Sequence, residues 1–470
     1  VCGREGAAVT VRLLQGEARA VLATLPPQSC HLCYTSPPYW RARAYLTPPQ
    51  IWADGAICEL GGESTVDSYL AHLIEVFAAV KRVLRDDGTC WVNLGDSYLT
   101  DPGGQNGARG TMGARAIAAN AGAGRQQRVR DSGDSLNGLG QGNLLLLPWR
   151  FGLAMQADGW DLRQVITYCK QSPLPESLTG TVWEPHRIKV GRQRSRERVP
   201  RAWDVGEHTH DQVPGGYYEA AGDGASVAEY QDCPGCPQCA PNDGLVLRRG
   251  RWRPTTATEQ VLIFSKRGAR YYADPDAVRD PGRPGQNEHN QRYARRHAAY
   301  DGHADCRQPG NVNSVGIHSR PGPGGHNLWN WQVWPTTESK TSAREVKKSV
   351  SHYASFPPGL PRLAVEACAP LIACGTCGAG WARVIAEEDA YLCRRVTSHG
   401  FRPTCTCTPA VQAPSTILDP FSGTGTTCME ADRLGRNAIG VELSESYHDL
   451  AQSRVRGDCP LFVELETEIV

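Results

Sequence analysis

The stretch S-T-I-L-D-P-F-S-G-T-G-T-T-C-M-E-A-D-R-L-G-R-N-A-I-G-V-E-L, residues 415–443, restricts the fold more than any other part of the chain. An apolar strand runs into Asp419, a loop carries Gly423 and Gly425, a helix follows, and a second apolar strand ends at Glu442. A strand, helix and strand at this spacing form the crossover of a parallel sheet. Glycines between strand and helix let backbone amides approach a ligand with no Cβ in the way. Glu442 falls 23 positions after Asp419, at the end of the next strand, where a carboxylate can accept hydrogen bonds from ribose hydroxyls. A G-x-G alone is as readily a structural turn, but strand, loop, helix and acidic residue together point to an adenosine-containing cofactor. A nicotinamide dinucleotide is disfavoured, because Thr424, Thr426, Thr427 and Cys428 stand where the G-x-G-x-x-G fingerprint would continue.

The N-terminal region repeats the α/β pattern. A strand at 9–14, a short helix at 16–25 and a strand at 30–35 precede a helix at 66–85, on which Tyr69, Leu73, Val76, Phe77, Val80 and Leu84 recur at helical spacing. A D-D-G turn leads into the strand T-C-W-V-N-L, and a helix at 148–158 with strands at 163–168 and 260–265 resumes the core. Residues 100–143, rich in Gly, Asn and Arg, show no periodicity and read as a loop. With 470 residues, 50 Gly and 33 Pro, the chain is expected to hold two to three domains, or one with large insertions and long loops.

No run of 18 apolar residues is present to span a membrane, and Val1–Glu5 lacks the apolar core of a signal peptide, so a cytoplasmic location is expected. In a reducing compartment, 18 cysteines suggest metal sites or buried thiols rather than disulfides. Net charge near +1 hides an uneven distribution: residues 187–201 hold seven basic residues against one acidic.

A second stretch, C-Y-T-S-P-P-Y-W at 33–40, closes the strand that begins at Cys30. Together with N-L-G-D-S-Y at 93–98, H-Y-A-S-F-P-P-G-L at 352–360 and L-D-P-F-S-G-T-G-T-T at 418–427, it resembles the S-adenosylmethionine-dependent amino-methyltransferases of DNA. The order, catalytic motif first and cofactor motif last, is similar to that of their β class. The resemblance covers most of residues 9–100, 144–184, 255–278 and 327–456. It implies an α/β fold of the Rossmann-like methyltransferase type, mostly parallel and circularly permuted. It also implies transfer of a methyl group to an exocyclic amine in double-stranded DNA.

The residues fit that chemistry. An exocyclic amine on a nucleobase is a poor nucleophile, because its lone pair is delocalised into the ring. The Ser36 hydroxyl and the Pro37 carbonyl can hold the amine, Pro37 and Pro38 stiffen the backbone, and Tyr39 can stack on a flipped base. Trp40 can support or cover that pocket, and Cys33 reads as a buried structural thiol rather than a nucleophile. In the family, Ser ahead of Pro-Pro-Tyr goes mostly with cytosine N4 and Asp or Asn with adenine N6, so Ser36 favours cytosine, with adenine N6 as the alternative. The resemblance further places Asp419, Phe421, Ser422, Gly423, Gly425 and Thr426 around the methionine portion of the cofactor, Glu442 on the ribose and Phe356 close by. Asp96 is expected to face the same cleft, with a helix-capping role as its alternative. Competing readings are methylation of RNA or a protein amide, which the motif order disfavours, and an inactive zinc-containing DNA-binding protein.

Two cysteine groups suit zinc. Cys374, Cys377, Cys405 and Cys407 offer four thiolates, with Cys393 as a spare, and Cys233, Cys236 and Cys239 offer three, with His208 or His210 as candidate fourth ligands. The expected organisation is a catalytic half at 1–184 containing the 100–143 loop, a basic cysteine-containing insertion at 185–254, and a core strand region at 255–274. A target-recognition region at 275–345 and a cofactor half at 346–470 follow, the latter carrying a zinc-ribbon-like insertion at 368–409. Recognition of DNA is expected from 185–254 and 275–345, where arginines accompany Trp203, Tyr217, Tyr218, Trp252, Tyr293, Trp329 and Trp331.

Overall fold

The computed structural model describes residues 9–41, 45, 47–99, 139, 142–170, 180–194, 226–250, 252–254, 256–278, 333–335, 356–390, 393–458 and 463–470. Most of the 100–143 and 275–345 regions lies outside the described residues, as do His208 and His210. The chain divides into two units, one of residues 1–173 with 257–470 and one of residues 174–256.

The larger unit is a Rossmann-like α/β fold built on a nine-stranded sheet. Its elements in chain order are β1 (Val9–Gln15), α1 (Ala18–Thr24), β2 (Cys30–Thr35), α2 (Val66–Val83), β3 (Leu84–Leu94), α3 (Leu147–Ala157), β4 (Trp160–Cys169), β5 (Thr258–Lys266) and β6 (Val333–Pro335). The C-terminal part adds α4 (Gly359–Cys368), β7 (Thr416–Asp419), α5 (Thr426–Arg433), β8 (Asn437–Glu442), α6 (Glu445–Asp458) and β9 (Val463–Ile469). Across the sheet the order is β6-β4-β5-β3-β2-β7-β8-β1-β9. All neighbours pair in parallel except β5, which runs antiparallel to both β3 and β4. β2 and β7, far apart in sequence, are therefore central neighbours, with Leu32 opposite Ile417 and Cys33 opposite Leu418.

Strand alternation sorts the core into two layers. On one face Cys33, Cys90, Val92, Leu262, Phe264 and Leu418 pack with Val21 and Leu22 of α1, Tyr69, Leu73, Phe77 and Val80 of α2, and Phe151 and Met155 of α3. On the other, Val11, Leu13, Leu32, Tyr34, Trp91, Val261 and Ile417 pack with residues of α4, α5 and α6. All six residues of β2 are buried, as a parallel strand covered on both faces requires. Each such large apolar side chain contributes about 1.5–3 kcal/mol when fully buried.

The helix expected at 66–85 ends two residues sooner. Thr65 caps it by accepting from Ser68 N at 3.1 Å, Lys81 and Arg82 occupy its last turn, and Leu84 opens β3. The D-D-G segment is a bulge within β3 and not a turn ahead of it: Cys30 lies opposite Leu84 but Leu32 lies opposite Thr89. Gly88 is required by close approach, since a Cβ there would sit 2.8 Å from the His31 carbonyl oxygen.

Residues 174–256 hold two antiparallel ribbons, Thr181–Pro185 with Leu245–Arg249 and Arg187–Arg194 with Ser226–Asp232. His186 is the single residue between the first strands of the two ribbons. No helix among the described residues is long and apolar enough to cross a membrane.

Candidate functional site

Because β2, β3, β7 and β8 are parallel, their C-terminal ends open onto one edge of the sheet, where ligands of open α/β sheets bind. That edge brings Thr35-Ser36, Leu94, Asp419 and Glu442 together. The join is explicit: Thr35 Oγ1 donates to Asp419 Oδ1 at 2.7 Å across 384 residues of sequence.

Asp419 Oδ1 also accepts from Phe421 N at 3.1 Å, while Oδ2 is buried with no partner. Burial raises its pKa to about 6, against the pull of these hydrogen bonds. Glu442 accepts from Gly423 N through Oε2 and from Ser444 N through Oε1, each at 2.8 Å, and burial pushes it up to about 7. Gly423 (φ 52°) and Gly425 (φ 77°) both adopt left-handed backbone, and Gly425 caps α5 with no side chain of its own. The Ser422 hydroxyl is buried without a partner. Thr426 begins α5 and is buried beside Arg454, which donates to its Oγ1 at 3.3 Å. Phe356 packs edge-on to Tyr34 with ring centroids 5.3 Å apart, and Phe421 lies against the α1–α3 layer of the core.

The residues present fit a cofactor with a cationic end and a ribose. Asp419 Oδ2 is an acceptor awaiting a donor, and each Glu442 oxygen retains a lone-pair direction beyond its backbone contact.

Ser36 Oγ donates to the Tyr39 hydroxyl at 3.3 Å. Tyr39 in turn donates to Glu259 Oε2 at 3.1 Å and accepts from Asn93 Nδ2 at 3.3 Å. Asn93 Nδ2 also reaches Glu259 Oε2 at 2.7 Å, and Lys170 Nζ pairs with Glu259 Oε1 at 2.6 Å. The Tyr39 ring lies over Gly95, where a Cβ would approach Cε2 to 2.7 Å. The Pro38 carbonyl accepts from the Tyr69 hydroxyl at 2.8 Å, which ties the Pro37-Pro38 turn to α2. Trp40 is buried and donates to the Glu63 carbonyl at 3.1 Å, so it covers the turn. Cys33 is buried in the sheet and its thiol is pushed well up by burial, the environment of a structural thiol.

Asp96 is occupied as a cap. Its Oδ1 accepts from Ser97 N at 2.8 Å and from Leu147 N at 3.0 Å, at the start of α3, where Leu146 supplies no side-chain cap. Three site residues were not singled out from the sequence: Asn93, Lys170 and Glu259. Glu259 had a signal, an acidic residue at the head of the otherwise apolar strand Q-V-L-I-F; Asn93 opens the N-L-G-D-S-Y stretch without having been assigned a role of its own, and Lys170 had no signal beyond its position near a strand end.

Both cysteine groups converge. The ligand atoms of Cys374, Cys377, Cys405 and Cys407 lie within 4.8 Å of one another, and so do those of His186, Cys233, Cys236 and Cys239. Among the described residues, the group that could complete the three cysteines is His186, from the junction of the two ribbons; His208 and His210 lie outside them. Cys236 Sγ is 3.4 Å from His186 Nδ1 and 3.7 Å from Cys239 Sγ. A tetrahedral zinc with ordinary bond lengths sets those edges at about 3.6 and about 3.8 Å, and a disulfide would need about 2.05 Å. The side chain of Cys393 lies outside the described residues.

A family model described as DNA methylase matches residues 30–371 and 405–453. The type II methyltransferase M.Cfr9I of Citrobacter freundii is 39% identical over 166 residues, 35% of this chain, and the chain spans about half (48%) of that relative's length. The type II methyltransferase M.SmaI of Serratia marcescens is 23% identical over 452 residues, 94% of this chain and 90% of its own. Among solved structures, the PvuII DNA methyltransferase, described as cytosine-N4-specific, aligns over 98% of this chain and 96% of its own, with a TM-score of 0.42 and 12% identity.

Proposed function

The chain belongs to the DNA methylase family, and from that premise we propose that it methylates the exocyclic N4 amine of a cytosine flipped out of double-stranded DNA. S-adenosylmethionine, when bound, supplies an electrophilic methyl group on a sulfonium. Asp419 Oδ2 would hold its ammonium, Glu442 its ribose hydroxyls, and the Gly423–Gly425 loop its carboxylate end. The observation that carries this reading is the Thr35–Asp419 hydrogen bond, which sets Ser-Pro-Pro-Tyr beside the cofactor loop.

The side chains of the turn do the rest. Ser36 Oγ gives its own hydrogen to Tyr39, so its lone pairs remain to accept from the target amine. Pro37, with no amide hydrogen, offers a carbonyl on a fixed backbone as the second acceptor. Two acceptors on one amine draw its lone pair out of conjugation and toward the methyl donor. Ser36 in the first position of the motif, rather than Asp or Asn, supports cytosine over adenine.

We assign target recognition to 185–254 and 275–345. In support, Tyr230 and Trp252 are both more than half exposed, alongside Arg187, Arg248 and Arg249; exposed aromatic and guanidinium groups are the side chains that contact bases and phosphates. We further assign structural zinc to Cys374, Cys377, Cys405 and Cys407, and to Cys233, Cys236 and Cys239 with His186.

The test is transfer of labelled methyl from S-adenosylmethionine to duplex DNA, followed by mass spectrometry of the nucleosides. N4-methylcytosine is expected, lost in Ser36→Ala. N6-methyladenine alone would overturn the choice of base, and no transfer to any duplex the enzyme binds would overturn the activity.

A further inference from the structure

The Ser36–Tyr39–Glu259 chain of hydrogen bonds has a direction. Ser36 Oγ donates to Tyr39, and Tyr39 donates to Glu259 Oε2. Every hydroxyl hydrogen in the chain therefore points away from the amine site and toward one carboxylate. Glu259 comes from β5, the one antiparallel strand among neighbours that run the other way, so its position just past Leu94 puts an acid beside the open ends of the parallel strands. Its carboxylate is largely sheltered, with the side chain 12% exposed, and it faces Lys170, whose side chain is 32% exposed. Asn93 holds both Tyr39 and Glu259, which fixes the geometry between them.

Methylation of a neutral amine leaves a proton to dispose of. The new N–C bond forms as the methyl–sulfur bond breaks, and the methylated nitrogen carries a positive charge until it loses one hydrogen. We infer that this proton leaves by a relay through Ser36 and Tyr39 to Glu259. The amine gives its proton to Ser36 Oγ as Ser36 gives its own to the Tyr39 oxygen and Tyr39 gives its own to Glu259 Oε2. Ser36 and Tyr39 end unchanged, Glu259 ends as the neutral acid, and the proton then passes to solvent on the Lys170 side. Burial raises the Tyr39 pKa well above the ordinary value, which suits a hydroxyl that passes a proton in concert and holds no negative charge. Other ionisable groups facing Glu259 are Lys170, Tyr34 and Tyr168, of which the last two have burial-raised pKa values and stay neutral.

Glu259 acts through Tyr39 and Ser36 and so is a positioning residue for proton transfer. This relay rests on the proposed amine methylation. The experiment is single-turnover methyl transfer to duplex DNA by the full chain, as wild type, Glu259→Gln, Glu259→Asp and Tyr39→Phe. Glu259→Gln keeps the shape and the hydrogen bond from Tyr39 but accepts no proton, and its rate is expected to fall about 100-fold, the scale of general-base assistance. DNA KM and cofactor affinity should stay within about twofold, also by that logic of a group that touches neither ligand. Glu259→Asp, which keeps a carboxylate, should regain part of the rate. Tyr39→Phe leaves the Glu259–Lys170 pair in place and should lose rate like Glu259→Gln, which keeps the idea testable if the Gln variant folds poorly. Wild-type enzyme that transfers no methyl would defeat the functional reading itself. An active wild type with an unaltered Glu259→Gln rate, a loss confined to KM, or no recovery in Glu259→Asp would overturn the relay alone.

Discussion

Asp419→Asn gives the sharpest test of the cofactor edge. In the folded protein the Asp419 carboxyl has a pKa of about 6 against an ordinary 3.8, because it is wholly buried and one oxygen lacks a partner. At 1.36 kcal/mol per pH unit the difference amounts to about 3 kcal/mol. The sign follows from where the proton sits. Below pH 3.8 the carboxyl is protonated in both folded and unfolded chains and costs nothing. Between about 4 and 6 the folded chain holds a proton that the unfolded chain has lost, and stability falls as pH rises; above 6 the full penalty of about 3 kcal/mol is present. Asn carries no charge, so the variant lacks this slope. Its buried amide introduces an unsatisfied donor worth about 1–3 kcal/mol, but that offset does not vary with pH. Urea unfolding of both proteins from pH 4 to 8 should show the variant gaining on wild type by about 2 kcal/mol between pH 4 and 7 and by almost nothing further above. Saturating S-adenosylmethionine should shrink that gain, because an ammonium opposite Oδ2 favours the ionised form. A pH-independent difference would refute the reasoning, and with it the placement of an unpartnered carboxylate at the end of β7.

Three further outcomes follow from the geometry. Gly425→Ala forces a side chain into left-handed backbone with its Cβ 3.1 Å from Ala451 Cβ; equilibrium binding should show weaker cofactor affinity, and unfolding a loss of about 1–2 kcal/mol. Asp96→Ala removes the acceptor of Leu147 N and should cost about 1 kcal/mol in urea unfolding, whereas a Kd for cofactor raised tenfold at unchanged stability would return Asp96 to the cleft. Metal analysis of purified protein should find two zinc ions per chain, reduced to one by His186→Ala; fewer than one in the wild type would reject both sites.

Motif-bearing segments were legible because they carry local chemistry. The strand, glycine loop, helix and Glu442 follow one another within a few turns of chain, and α2 announces itself by Tyr69, Leu73, Val76, Phe77 and Val80. What stayed hidden depends on contacts distant in sequence. Glu259 enters the site only because β5 pairs antiparallel with β3, and His186 joins three cysteines only because two ribbons meet at it. Asp96 faced two readings from sequence, cleft or cap, and only the position of Leu147 decides that its oxygen is engaged by a helix terminus. The D-D-G triplet looked like a turn because local preference favours one, yet pairing with β2 draws it into a bulged strand.

The placement of β1 and β2 has a consequence for how the molecule comes into being. Each is made hundreds of residues before its partners, since β1 is flanked by β8 and β9, and β2 has β7 on one side. Until Ile469 has left the exit tunnel β1 lacks a strand that will cover one of its edges, and until Asp419 has done so β2 lacks β7. Contacts this distant in sequence make folding slow and leave unpaired edges open to aggregation. A nascent chain released before β7 and β8 would hold Ser-Pro-Pro-Tyr on an unfinished sheet, so strands made more than 380 residues after that turn are the ones that make it a site.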